Sequence, residues 1–458
     1  MPASLGRAAR GALTCARLAG VLASFALATT PGVAAAETPR RALPDYEGRP
    51  PPAPTAGEVL LWVPRVIFSP VYFVSEFLIR RPIGALISTA ERANVPAVLY
   101  DFFAFGPDHK VGFAPLVFVD FGFRPSVGLY VFWDDAFFKG DDLRLHASTF
   151  GIDYLAGSFT ERLRLPGARS LTLGLSAVTR PDHVYYGLGP GTLQSSQSRY
   201  GEDQFDGSLT FDVPLWRSSQ VETSLGLRSA TFRDGSFDGD PTVSQQVRAG
   251  VFPSLPPGFL TGYTAQISRV VLALDSRRKY PESGSGVRVE ARGLLGNDLS
   301  ESPASGWTRV DAGAAAYVDV DGHRRVVSLA VEASIVDPLG SRPVPFTELV
   351  SLGGDHAPMP GLYPGRLIDR SGAVATLRYR WPIGPFLSGS MQAAVGNVFG
   401  VHLEDFDPGL LRLSAALGLE SDVSPDNAIH FLIGFGTETF DHGGQIDSFR
   451  LAFGTSRF

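Results

Sequence analysis

Leu411-Arg412-Leu413-Ser414-Ala415-Ala416-Leu417-Gly418-Leu419-Glu420 sets the reading of the whole chain. Leu411, Leu413, Ala415, Leu417 and Leu419 alternate with Arg412, Ser414, Gly418 and Glu420. The same period recurs upstream, where Ala373, Ala375, Leu377, Tyr379 and Trp381 oppose Thr376, Arg378 and Arg380. It recurs downstream in Ile429, Phe431, Ile433 and Phe435 against His430, Gly434 and Gly436, and in Phe449, Leu451 and Phe453 against Arg450 and Gly454. A period of two sends successive side chains to opposite faces of a strand. One face is almost purely apolar, and the other carries charge and glycine. A soluble sandwich alternates too, but with shorter strands and a charged exterior. Longer segments, apolar outward and polar inward, fit a barrel in lipid, where about 9–11 tilted residues cross the hydrocarbon.

The composition agrees. The 458 residues include 51 Gly and 32 Phe but 3 Met. After the first 36 residues no window offers the roughly 18 uninterrupted apolar residues of a membrane helix. Apolar and polar residues cancel within each strand, so mean hydropathy stays close to zero.

Residues 1–36 have the pattern of a secretory signal. Arg7, Arg10 and Arg17 make a basic start, Leu18 to Ala28 is apolar, and Val33-Ala34-Ala35-Ala36 offers a small-residue cleavage site. The one cysteine, Cys15, lies inside this leader, with no apolar run before it to make a lipoprotein anchor. The mature chain then has no thiol for disulfides, thiolate metal sites or nucleophilic catalysis. Losing three arginines takes the net charge from −6 to about −9, which argues against nucleic-acid partners.

Residues 37–57 form a linker, charged first and then proline-rich at Pro50-Pro51-Pro52 and Pro54. Residues 58–105 differ: Leu60, Leu61, Val66, Ile67, Phe68, Val71, Tyr72 and Val74 are apolar, Arg65, Glu76, Arg80 and Arg81 interrupt, and Pro64, Pro70 and Pro82 break the run. The segment reads as short, broken amphipathic helices at a membrane face or across the barrel mouth.

Residues 106–458 form the barrel domain. The expected architecture is all-β: a 16-stranded antiparallel transmembrane β-barrel preceded by that short helical segment. Candidate strands cover 111–120, 125–135, 143–153, 156–164, 169–180, 203–214, 219–232 and 262–275. The remaining eight cover 284–295, 306–319, 324–336, 371–382, 388–399, 409–420, 427–437 and 445–458. Even-numbered links are short and rich in turn residues, as at 165–168, 321–323 and 383–387. The long links, 181–202, 233–261 and 337–370, all fall at the other end. Short inner turns and long outer loops are the asymmetry of outer-membrane barrels. Arg288, Glu290, Arg292, Arg309, Asp311 and Glu332 fall on the inner face, where opposite charges can pair across neighbouring strands.

Three segments carry a resemblance. Tyr185-Tyr186-Gly187-Leu188-Gly189-Pro190-Gly191 heads the third outer loop. Asp275, Arg277, Pro281 and Gly286 mark the turn between the eighth and ninth strands. Gly353 and Gly354, then Pro360, Gly361, Tyr363, Gly365 and Arg366, lie in the sixth outer loop. In order and placement these resemble the BamA/TamA-type outer-membrane barrels, the bacterial surface-antigen superfamily that assembles or translocates proteins at the outer membrane. The resemblance spans about residues 100–458. It implies a sixth loop folded into the lumen and a C-terminal assembly signal, here Phe449, Leu451, Phe453 and Phe458. It also implies lateral opening between the first and last strands, where Gly112, Pro115 and Gly122 weaken pairing.

The chain departs from that pattern. Pro360 stands where the family's loop arginine belongs, and Ala394 where its wall aspartate belongs. Losing both is coherent, since either alone leaves a buried unpaired charge. Arg366 is the candidate substitute cation. The family's polypeptide-transport-associated domains are not expected in this length.

No catalytic constellation stands out. The eight histidines form neither an i, i+4 metal pair nor a close pair, and His146 and His430 are expected to face the lumen. Asp234, Asp238 and Asp240 lack the ligand spacing of a calcium loop. The expectation is therefore a non-enzyme with no cofactor, no metal and no small-molecule substrate. Its partners would be outer-membrane lipids and unfolded outer-membrane clients or a barrel-assembly complex. The alternative is a structural or binding barrel, or a plugged channel, that has lost the assembly task.

Overall fold

The computed structural model describes residues 102–458, except 107, 279–283, 301–304, 355–356, 385–386, 422–429 and 455–458, and also Arg81. The leader at 1–36, the linker at 37–57, nearly all of 58–105, Pro281 and Phe458 lie outside the described residues.

Sixteen strands form the cylinder. The first eight are β1 (Val111–Asp120), β2 (Ser126–Asp134), β3 (Asp141–Thr149), β4 (Leu155–Leu165), β5 (Arg169–Tyr185), β6 (Ser198–Pro214), β7 (Gln220–Asp234) and β8 (Tyr263–Asp275). The second eight are β9 (Gly286–Asp298), β10 (Ser305–Asp319), β11 (Val326–Leu339), β12 (Ser371–Pro382), β13 (Leu387–Phe399), β14 (Arg412–Ser421), β15 (His430–Thr437) and β16 (Ile446–Gly454). Each pairs antiparallel with its sequence neighbours, and β16 closes the ring on β1. Closure satisfies the backbone groups that an open edge would leave bare in hydrocarbon.

The outward positions are apolar, as the alternation predicts. Leu225, Val270, Leu329, Val331, Phe435 and Phe449 are all exposed. Glycine lets large rings lie flat on the sheet. A Cβ on Gly389 would stand 2.3 Å from the Trp381 ring, and one on Gly296 would stand 2.3 Å from Trp307.

One expectation needs correction. The fifth and sixth strands run past 180 and start before 203. A register shift between Arg180 and His183 absorbs Pro181, which has no N–H for the ladder, and pairing then resumes through His183↔Tyr200 to Tyr185↔Ser198. The lumen charges pair across strands, as expected, and along a strand as well. Arg292 meets Glu290 at 2.7 Å and Arg309 meets Asp311 at 2.9 Å, both i, i+2 neighbours on one face. Arg228–Asp206 at 2.6 Å and Arg269–Glu222 at 2.7 Å are the cross-strand kind. An arginine stem is long enough to reach either neighbour.

The links 186–197, 235–262 and 340–370 are long and share one end. Their side chains and the adjoining strand ends build an apolar core of their own. Phe346 sits at its centre, with ring centroids 5.2 Å from Tyr200 and 4.8 Å from Phe232. Tyr185 stacks edge-on against Phe252 at 5.2 Å. Aromatic burial of this kind contributes about 0.5–1.5 kcal/mol per ring pair beyond area. A helix, α1 (Val243–Arg248), packs into the same core through buried Val243 and starts with a Thr242–Gln245 capping box. Below this core lies a lumen cavity of about 740 Å³, lined in part by Arg288, Glu290, Asp311, Glu332 and His430.

The outward placement of Val331 and the inward placement of Ser334 make a direct comparison. Val331→Arg should lower stability in bilayers by about 2–4 kcal/mol, and Ser334→Arg by no more than about 0.5 kcal/mol, read by reversible urea unfolding.

Candidate functional site

The link 340–370 leaves β11, folds into the lumen and returns to β12. A short ribbon, Val350–Ser351 against Ile368–Asp369, ties its two limbs. Gly354 at φ +118° and Gly365 at φ +81° take turns that side-chain-bearing residues avoid. The Gly354 N–H donates to Leu362 O at 3.0 Å, and the Met359 N–H to Leu352 O at 3.0 Å. Met359, Leu362 and Leu367 are fully buried.

The tip Pro360-Gly361-Leu362 lies against the inner wall of β13 to β16. Glycines on both partners let the backbones touch: a Cβ on Gly361 would stand 2.1 Å from Phe435 O, and one on Gly434 would stand 2.7 Å from the Gly361 Cα. The Gly361 N–H donates to Ser414 Oγ at 2.9 Å, and Ser448 Oγ donates to Gly361 O at 3.0 Å. Gln392 Nε2 donates to Pro358 O at 2.7 Å.

Pro360 brings no charge, yet a guanidinium reaches it. Arg450, on β16 and fully buried, donates from Nη1 to Pro360 O at 3.1 Å. Its Nη2 meets Asp120 Oδ2 at 2.6 Å, on β1. The ion pair therefore spans the joint between the last and first strands. Tyr363 spans it too, since its hydroxyl is 3.2 Å from Phe121 O and 3.1 Å from Phe449 O. Burial, with Asp120 nearby, raises the Tyr363 phenol above its ordinary 10, so the donating O–H form is the one present. Arg199, on β6, holds the adjoining link through Gly122 O at 2.8 Å. Among the described residues the backbone joint runs through Ala452↔Asp120, Phe453↔Val119 and Gly454↔Phe118, plus the Phe121 N–H to Leu451 O at 3.0 Å.

Arg366 is buried but does not meet the β13 wall segment around Ala394. Its Nη2 lies 3.0 Å from Asp447, on β16, and 3.6 Å from Glu438. Its Nη1 donates to Thr192 O at 2.9 Å, and its guanidinium lies over the Tyr186 ring at 4.9 Å. Arg412 completes the group, 2.8 Å from Glu438 and donating to Thr192 O at 2.6 Å. Two cations and two carboxylates thus bind the third and sixth loops to β14 and β16. Asn397, in the β13 segment, holds Pro190 O at 3.1 Å.

The turn motif lies at the opposite end. Arg277 grips Asp275 from Nη2 at 2.7 Å, and its guanidinium sits 3.6 Å from the centre of the Tyr317 ring. A Cβ on Gly286 would stand 2.7 Å from Ser276 Oγ. These residues clasp the β8–β9 turn, far from the loop tip in the chain. Phe449 and Phe453 face outward, and Leu451 is half-buried. Among the acidic loop residues, Asp240 accepts from Arg199 Nε at 2.8 Å, and Asp234 accepts from the Ser244 N–H at 3.1 Å.

The pattern of residues did not reveal Arg450, Asp120, Arg412, Glu438 or Asp447 as site members. Arg450 and Arg412 were visible only as polar-face residues of two alternating strands.

Two substitutions follow from this geometry. Arg450→Met should cost about 3–5 kcal/mol, because Asp120 stays buried without its cation, whereas Arg450→Met with Asp120→Leu should recover most of that loss. Gly361→Val should undock the tip, read as new protease cleavage within 340–370 while the barrel keeps its strand signal in circular dichroism.

No protein-family model matches the sequence, and no curated protein does. Solved structures do match. BamA from Haemophilus ducreyi lacking POTRA domains 1–3 aligns with a TM-score of 0.52 at 15% identity, over 76% of this chain and 70% of that one. CdiB from Acinetobacter baumannii aligns at 0.47 and 13% identity, and CdiB from Escherichia coli at 0.45 and 14%, each over 76% of this chain. This chain covers 59% and 64% of those two CdiB chains. The chain has the closed sixteen-stranded barrel fold of BamA.

Proposed function

We propose that the chain is an outer-membrane barrel that handles polypeptide at the joint between β1 and β16. Lateral opening there would admit outer-membrane proteins for assembly, insertion or translocation. The observation that carries this reading is the composition of β1 at that joint: Gly112 has no side chain to pack, and Pro115 has no N–H for a ladder bond. Each ladder bond broken in hydrocarbon exposes groups that cost several kcal/mol, so a strand with fewer donors is cheaper to open. An opened edge is a template for strand addition. The BamA-like fold and the loop motifs around Gly353–Arg366 support the same reading. The apolar exterior and the leader-like start support an outer-membrane site with lipid as the surrounding partner.

One observation favours a second reading, a barrel that stays shut and serves as a binding or structural element. Arg450–Asp120 and Tyr363 bridge the joint from inside, and the aromatic core covers the loop end.

Val119 and Phe453 stand opposite each other across the joint. Val119→Cys with Phe453→Cys should lock it on oxidation. In cells that depend on this chain, the locked form should lower the levels of outer-membrane proteins, and reductant should restore them. Unchanged levels with complete cross-linking would discard lateral opening in favour of the shut barrel.

A further inference from the structure

We propose that Arg228 is a positioning residue for the β1–β16 joint: from the far wall it holds Glu348 at the root of the link 340–370, and through that link it sets the tip against β16 and β1. The proposal rests on the lateral-opening reading and names what holds the joint shut from a distance.

The root of the link is fixed on β6 to β8. Arg228, on β7, donates from Nε to Asp206 Oδ1 of β6 at 2.6 Å and from Nη1 to Glu348 Oε1 at 2.8 Å. The Tyr263 hydroxyl, on β8, donates to the same Glu348 oxygen at 2.6 Å. Two residues earlier the Phe346 N–H donates to Pro257 O at 3.0 Å. Glu348 is 6% exposed, so its charge needs a cation. Arg228 serves Glu348 and Asp206 together. Without the guanidinium two carboxylates share that site with little water, and their repulsion drives the root off the wall.

The link is stiff from root to tip. Val350–Ser351 pairs with Ile368–Asp369, the Leu352 N–H donates to Leu367 O at 3.4 Å, and Leu352 O accepts from Met359. Val350 and Leu352 are buried between the ribbon and the wall. At the other end Arg450 of β16 holds Pro360 O, and the Tyr363 hydroxyl meets Phe121 O and Phe449 O. In the ring of sixteen, β8 stands opposite β16. The link is therefore a strut across the lumen, with its ends on facing walls. Fixed at both ends, it keeps the tip seated on both strands of the joint. Arg228 lies six strands from β1, so its effect on the joint passes through the strut.

The test is amide hydrogen exchange on the full chain in lipid nanodiscs, with Arg228→Met, Glu348→Gln and the two combined. Arg228→Met should speed exchange at 118–120 and 452–454 about tenfold, while the β9–β10 joint at 290–293 and 310–313 keeps its protection. Glu348→Gln keeps the size of the side chain and its place beside Tyr263, and should speed the same amides about threefold. The double variant should be no faster than Arg228→Met, because both substitutions break one contact. Unchanged exchange at 118–120 and 452–454 overturns the proposal. So does equal acceleration at the β9–β10 joint, since a loosened barrel treats both joints alike. Glu348→Gln carries the test should Arg228→Met fail to fold. If the Val119–Phe453 cross-link lowers outer-membrane protein levels and the joint ignores Arg228, this proposal alone is lost. If the cross-link is harmless and the joint still answers to Arg228, lateral opening is lost and the strut stands.

Discussion

A sheet with a greasy outer face has nowhere to leave an edge. Every strand N–H and C=O at that depth needs a partner, and only closure provides one for the first and last strands. Here closure falls to β16 and β1, which pair among the described residues from Ala452↔Asp120 to Gly454↔Phe118. The interior adds to it. Arg450 and Asp120 pair across the joint, Tyr363 reaches carbonyls on both sides of it, and Arg199 holds the link after β1. The loop inside the lumen and the closure of the wall are thus one arrangement. Moving the tip loosens the joint, and opening the joint strips the tip of its contacts.

The arrangement also explains the two substitutions against the resembled pattern. A loop arginine facing a wall aspartate is replaced by a wall arginine facing a loop carbonyl. Pro360 offers only its oxygen, and Arg450 supplies the charge from β16. A buried guanidinium needs a carboxylate, and Asp120 on the far side of the joint provides it. Charge that would bind loop to wall now binds loop, last strand and first strand together. Glycines at 361, 434 and 436 allow the close approach that makes these short polar contacts possible.

Much of the cylinder was legible in the sequence because its two rules are local. Alternation over ten residues assigns a face, and turn chemistry at every second link assigns an end. The strands from 371 to 454 follow both rules closely. The third loop was misjudged because Pro181 reads as a strand end, whereas a register shift carries pairing on to Tyr185. Arg366 stood out as the candidate substitute cation of the sixth loop, but its partners did not. Asp447 and Glu438 lie some 70 to 80 positions away, and Asp120 and Arg450 are 330 apart. Nothing local marks such pairs; only ring closure brings them together.

Amide hydrogen exchange of the chain in lipid nanodiscs tests the central claim most directly, that the β1–β16 joint is the weak line of the cylinder. The account predicts that amides of residues 118–120 and 452–454 exchange at least tenfold faster than those in the middle of β8 and β9. Equal protection along both joints would contradict it.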